Sequence, residues 1–173
     1  MAGYGEKPYG LNDVKLYDLD GTNEVDLPVS TTLKFAPRVG SGELYGDDGV
    51  QSVAGMVEAL EWELEAGGIS LEAWAKLTGL TVSESGTTPN RTMTLAVDAG
   101  DNMPYIRIAG KSLGDGDDDV HVYLYKAKCL SIEGQFAGKT FFVTKCSGIA
   151  VTDGTNGIFK VLQNETAAAL SWS

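Results

Sequence analysis

The sequence predicts a mainly β fold: an antiparallel β-sandwich or barrel with one flanking α-helix at about residues 70–78 and a long protruding hairpin loop. Three observations carry this. Eight to ten short stretches alternate apolar and polar residues, with turn signals between them. Only one stretch, after Gly67-Gly68, has helix caps at both ends. Two extended runs, Leu33–Val39 and Val50–Ala66, flank a glycine-rich segment. With 173 residues, no internal repeat and no linker, the chain reads as a single domain over 1–173.

Residues 1–10, with Gly3, Gly5, Pro8 and Gly10, read as a flexible N-terminal arm. Leu11–Asp18 reads as a strand and Asp18–Asn23 as a turn. Glu24–Val39 is extended, with Pro28 suggesting an edge or bulge. Gly40–Gly49 carries four glycines in ten residues and is expected to be a loop, because glycine tolerates positive φ. Val50–Ala66 returns as a strand. In its second half Leu60, Trp62 and Leu64 alternate with Glu61, Glu63 and Glu65, so one face is apolar and the other acidic. Its 17 residues would span roughly 55 Å, against a radius of gyration of about 15–16 Å for a domain of this size. The strand therefore bends at Ala54-Gly55, or its far end projects from the body.

Ser70 can cap the first helical turn, Glu72 favours the positive end of the dipole, and Gly79 suits the left-handed C′ position. Ile69 and Trp74 have the spacing of a hydrophobic staple, and Leu71, Trp74, Ala75 and Thr78 share a face. Leu80–Glu84, Thr92–Asp98 and Met103–Leu113 follow as strands. Gly114–Asp119 is a polar loop. Val120–Cys129 is the cleanest strand, with Val120, Val122 and Leu124 on one face and His121, Tyr123 and Tyr125 on the other; His121 is expected at solvent or a neighbouring subunit. Thr140–Thr152 and Gly157–Leu162 complete the set, and 167–173 reads as a C-terminal tail.

Twenty-four acidic residues against thirteen Lys and Arg give a net charge of −11, which disfavours binding nucleic acid through phosphate contacts. No run of eighteen apolar residues is present, so no membrane partner is expected, and the N-terminus lacks an apolar secretory region. Cys129 and Cys146 are accordingly expected reduced and buried. The chemistry-bearing motifs are incomplete. Gly110-Lys-Ser112-Leu-Gly114 matches G-x-S-x-G, but no helix follows the serine, as a nucleophile elbow requires. A P-loop would need a glycine where Tyr105 stands. Asp18-x-Asp20-Gly21 lacks the glycine of a calcium loop, having Asn23 there. Asp115, Asp117, Asp118 and Asp119 form either a solvated turn or a weak site for a hard cation. With one histidine and two separated cysteines, no zinc site is expected; the chain is expected to be no enzyme and to need no cofactor.

What remains is an acidic, β-rich chain with a projecting arm. In Leu33-Lys-Phe35, the segment ending Leu44-Tyr45-Gly-Asp47-Asp48-Gly49, the acidic strand Glu58–Glu65, the helix ending in Gly79, Tyr105-Ile-Arg-Ile108 and Val120–Lys126, it resembles the major tail proteins of long-tailed, non-contractile bacteriophages. The resemblance spans most of residues 30–165. It implies a subunit that forms six-membered rings stacked into a hollow tail tube, through which DNA passes during ejection without specific binding. The implied partners are other copies of the chain and the tape-measure, tail-terminator and distal-tail proteins. The implied location is the virion tail, after synthesis in the bacterial host cytoplasm. Mapped by position, the inter-subunit loop falls on Gly40–Gly49, with Ser41, Glu43, Leu44, Tyr45, Asp47 and Asp48 as assembly residues. The candidate acids facing the lumen are Glu61, Glu63 and Glu65, then Asp115, Asp117, Asp118 and Asp119. Two other readings stand beside this one: a carbohydrate-binding β-sandwich using Trp62, Trp74, Tyr123 and Tyr125, and the tube protein of a contractile injection system.

Overall fold

A computed structural model describes residues 7–27, 29–46, 49–68, 70–114 and 116–172. The described residues form ten strands and one helix: β1 (Tyr9–Asp18), β2 (Val25–Asp26), β3 (Ser30–Gly46), β4 (Gly49–Gly67), α1 (Leu71–Thr78), β5 (Ser83–Ser85), β6 (Thr92–Thr94), β7 (Tyr105–Leu113), β8 (Asp119–Gln135), β9 (Val143–Ala150) and β10 (Phe159–Asn164). Eight strands make one antiparallel sheet in the order β2-β1-β7-β8-β9-β4-β3, with β10 also paired to β8.

Strand β8 is the spine. Its first half pairs with β7 and β10, and its second half with β9. A register shift between Cys129 and Ser131 marks the bulge where the halves join. The sheet thus divides into two layers, β2-β1-β7-β8-β10 and β8-β9-β4-β3, giving the expected sandwich. Val14 and Leu16 of β1, Leu60, Trp62 and Leu64 of β4, Ile106 and Ile108 of β7 and Leu124 of β8 fill one core between them.

Helix α1 has the predicted caps. The Ser70 hydroxyl accepts from Ala73 N–H at 3.3 Å, and Gly79 adopts φ 75° with its N–H on the Ala75 carbonyl. The buried face is Ala73, Leu77 and Thr78, rather than the predicted Leu71, Trp74, Ala75 and Thr78. The helix lies rotated because Trp74 reaches sideways, its indole N–H donating to Thr144 Oγ1 at 3.2 Å. Lys76 ties the last turn to Asp18 at the end of β1, at 2.6 Å. Ile69, the other half of the predicted staple, lies outside the described residues.

Four expectations are corrected. Gly40–Gly46 is not loop: β3 continues to Gly46, paired with Gly49 at the start of β4. Glycine loses its usual disadvantage there because no side chain is asked to pack. Leu80–Glu84 and Thr92–Asp98 add no strand to the main sheet; β5 and β6 form a separate two-stranded hairpin, with Met93 and Val97 exposed. His121 faces neither solvent nor a neighbour but is 2 % exposed. Residues 167–172 are not a loose tail: Leu170 is buried and Trp172 packs among Tyr17, Tyr123 and Tyr125, with the Arg107 guanidinium 4.8 Å from its ring.

Candidate assembly surface

The two alternatives for β4 resolve in favour of projection. Cross-strand pairing runs from Ser30↔Ala66 to Gly46↔Gly49, interrupted by three register shifts, none of them at Gly55. Only Leu60–Gly67 has β9 on its other side. Beyond that point β3 and β4 run on alone as a two-stranded ribbon, about eight residues or ~26 Å long. The ribbon begins at a bulge. Arg38 pairs with Ala59 and Val39 with Val57, leaving Glu58 as the extra residue. Glu58 folds across Gly40, where a Cβ would lie 2.1 Å from its carboxylate oxygen. A second extra residue, Gln51, falls near the tip.

Cross-strand partners share a face, so the register sorts the ribbon. One face carries Val39↔Val57, Ser41↔Gly55, Glu43↔Val53 and Tyr45↔Val50. On β3 this face continues from Leu33 and Phe35, which pack on the core. The core's apolar stripe therefore runs out of the domain along the arm, where Val39, Val57, Val53, Tyr45 and Val50 are all exposed. The other face carries Gly40↔Met56, Gly42↔Ala54 and Leu44↔Ser52, with Met56 74 % exposed and Leu44 also open. Apolar side chains stay in water on both sides of this ribbon, and each one that a partner buried would contribute about 1.5–3 kcal/mol. An isolated two-stranded hairpin is marginal in water, so a partner would also steady the backbone.

The structure brings Ser41, Glu43, Leu44 and Tyr45 together on this arm, the Tyr45 hydroxyl donating to the Glu43 carboxylate, which raises the phenol's pKa. Asp47 and Asp48 lie outside the described residues. Sequence reasoning missed Val39, Val53, Met56 and Val57 as surface residues. Their apolar character reads as strand core until the register shows that, among the described residues, no third strand reaches them.

Glu61, Glu63 and Glu65 point away from Leu60, Trp62 and Leu64, as the alternation predicts. They are not a bare acidic row. Lys34 of β3 stands 3.8 Å from Glu63, and Lys145 of β9 stands 3.4 Å from Glu65. Glu61 has apolar cross-strand neighbours, Ala36 and Ile149. Three carboxylates and two ammonium groups leave a net charge of −1 on this strip (−3 + 2).

The aspartate loop departs from expectation. Asp118 and Asp119 are buried and cannot present their carboxylates to a lumen; Asp117 is exposed, and Asp115 lies outside the described residues. Asp118 Oδ1 accepts from Gly116 N–H at 3.1 Å, closing the turn. Asp119 is the hub of a second core, on the outer side of β8. Its Oδ1 accepts from Asn164 Nδ2 at 2.7 Å, and its Oδ2 from Ala168 N–H at 2.7 Å, His121 Nε2 at 3.0 Å and Lys111 Nζ at 3.0 Å. Burial alone would raise its pKa, but these donors outweigh it and hold the carboxyl well below its ordinary range. His121 Nδ1 meets the Tyr123 hydroxyl at 3.1 Å, and that hydroxyl donates to the Ser171 carbonyl at 3.2 Å. The network clamps the C-terminal segment onto β8. Remote partners create it: Lys111 comes from β7 and Asn164 from β10.

Gly110–Leu113 is strand, and the Ser112 hydroxyl donates to the Gly10 carbonyl at 2.6 Å. The two thiols are buried, which pushes Cys129 up to about 11 and Cys146 higher still. No protein-family model matches the chain, and no curated protein matches it in sequence.

Proposed function

We propose that this chain is a self-assembling tube subunit of the tail-tube type, forming stacked six-membered rings that line a conduit for DNA in a phage virion tail. The observation that carries the reading is the apolar stripe that leaves the core and runs uncovered along both strands of the β3–β4 arm. A second copy of the chain supplies the missing cover. Charge fits the conduit role: six chains at −11 give 6 × (−11) = −66 per ring, a field that repels phosphates and lets DNA slide. Glu61, with no cationic cross-strand partner, is the first acid to assign to the lumen; Asp117 follows. Other tail proteins would meet the two ends of the tube.

A sugar-binding role draws little support from the aromatic residues it would use. Trp62 is 2 % exposed, Tyr123 is buried and Tyr125 lies against Trp172. The test is electron microscopy of the purified chain at high concentration beside the variant Leu44→Ser/Tyr45→Ser/Met56→Ser. The intact chain gives rings or tubes, and the variant, with an unchanged circular dichroism spectrum, gives none. Tubes formed equally by the variant, or an intact chain that stays monomeric at every concentration, would overturn the reading.

A further inference from the structure

At the end of β4 opposite the arm tip lies a second uncovered apolar feature. Strand β4 ends at Gly67, paired with Val143 at the start of β9. The β8–β9 loop, residues 136–142, stands beside that end. Phe136 is 86 % exposed and Phe141 93 %. The loop is held in shape rather than draped. Phe142 packs over Gly134, where a Cβ would meet its ring at 2.6 Å and Trp74 at 3.2 Å. The Phe142 carbonyl accepts from Gly68 N–H at 2.7 Å. Phe136 lies against Phe142 with ring centroids 4.5 Å apart. Lys139 holds φ 66°, a left-handed conformation that a lysine adopts only at a cost.

The local charge is unlike the rest of the chain. In a protein of net charge −11, Lys139 is the one charged residue of 134–144, and the next cation, Lys145, is already paired with Glu65 at 3.4 Å. The described end of β3 is the reverse: residues 43–46 carry Glu43 and no base.

Resting on the tube-subunit reading, we propose that the 136–142 loop is the receptor for the arm of a second copy, so that copies join head to tail. The apolar arm residues cover Phe136 and Phe141, and Glu43 meets Lys139. Arm-to-arm pairing is disfavoured because it sets the Glu43 carboxylates of two arms against each other. The two surfaces lie at opposite ends of one 19-residue strand, ~63 Å long when fully extended, so a chain cannot satisfy its own loop. A contact between unlike surfaces is heterologous; made between stacked rings, it leaves free arms at one end of the stack and free loops at the other, which propagates growth.

Disulfide trapping tests it in the full chain, since Cys129 and Cys146 are buried and do not compete. Chains carrying Tyr45→Cys are mixed with chains carrying Phe141→Cys and oxidised under assembling conditions. The mixed 45–141 disulfide forms at least tenfold more than either homodimer. In parallel, Lys139→Glu weakens association about tenfold or more, and adding Glu43→Lys to the same chain restores it. If sedimentation shows the chains associating while Tyr45→Cys pairs equally with itself, or while Lys139→Glu has no effect, the receptor assignment falls and the tube reading stands. If the intact chain does not associate at all, both fall.

Discussion

The two halves of β4 have the same partner on one side and different fates on the other. Between Leu60 and Gly67 the strand lies between β3 and β9, and Trp62 is 2 % exposed. Between Gly49 and Glu58 it has β3 alone, and Met56 is 74 % exposed. Both halves carry large apolar side chains, so hydrophobicity does not distinguish them. What differs is the presence of a second sheet layer, supplied by strands far away in sequence. The body half makes the fold, and the arm half is free to make an assembly.

The sharpest way to break this comparison is to truncate one residue in each half. Leu64→Ala, deep in the core, is expected to cost about 2–5 kcal/mol, read as a lowered denaturant midpoint. Met56→Ala should leave that midpoint within about 0.5 kcal/mol, because its side chain is already in water. In association assays the order reverses: Met56→Ala weakens assembly, while residual folded Leu64→Ala still assembles. Equal midpoints for the two variants would show that the arm is folded against something the isolated chain already contains.

A second comparison sets Asp119 against the exposed acids. Asp119→Asn keeps the shape but removes the charge that Lys111 and His121 share, at a cost of about 1.5–3 kcal/mol. Its pH signature follows from the sign of the shift. The folded carboxyl titrates below its ordinary value of 3.8, so its contribution is fully present above that range. It is lost as pH falls through the lower folded value. The wild type should therefore lose stability relative to Asp119→Asn only in strong acid. A difference that faded between pH 8 and 5 would assign the effect to another group.

Much of the body was readable. The alternation from Leu60 to Glu65 gives both the core face and the acidic face of β4, and Ser70 with Gly79 bounds the helix to within one residue. The failures share a cause: each depends on a partner distant in sequence. Gly40–Gly46 looks like loop because its glycines favour none of the extended states, yet Gly49–Met56 holds it in register. Asp118 and Asp119 look like a solvated acidic run until Lys111, Asn164 and the C-terminal segment converge on Asp119. The alternation of β8 gives both its faces, and Trp172, the one large aromatic in an alanine-rich terminus, is the sequence signal that its outer face is covered. Lys34 and Lys145 become neighbours of the glutamate row only once the register is known.

The thiols give a smaller effect. With Cys129 raised to about 11, its thiolate fraction at pH 7 is about one part in 10⁴, and Cys146 holds less. Neither should react with a thiol reagent in the native protein on the timescale of minutes, while both react once it is unfolded. Rapid native labelling would indicate that the β8–β9 layer opens.

The smallest expected stability effect is at Glu61, Glu63 and Glu65, and it separates local pairing from a collective field. Locally, Glu63→Lys and Glu65→Lys turn two attractions, to Lys34 and Lys145, into repulsions, whereas Glu61→Lys breaks none. Exposed pairs at 3.4–3.8 Å contribute about 0.2–1 kcal/mol each, so the triple variant should remain folded. The collective effect runs the other way: Glu61→Lys changes each chain by +2, which is 6 × 2 = +12 on a six-membered ring. If that strip faces a DNA conduit, this single variant retards DNA ejection with no loss of stability, and added salt relieves the defect as screening shortens to a Debye length of about 8 Å at 0.15 M. Glu63→Lys, whose charge is already balanced locally, adds the same +2 and should retard ejection equally if the field is collective. A defect confined to one position would instead mark a point contact, and normal ejection by both variants would move the lumen away from this face of β4.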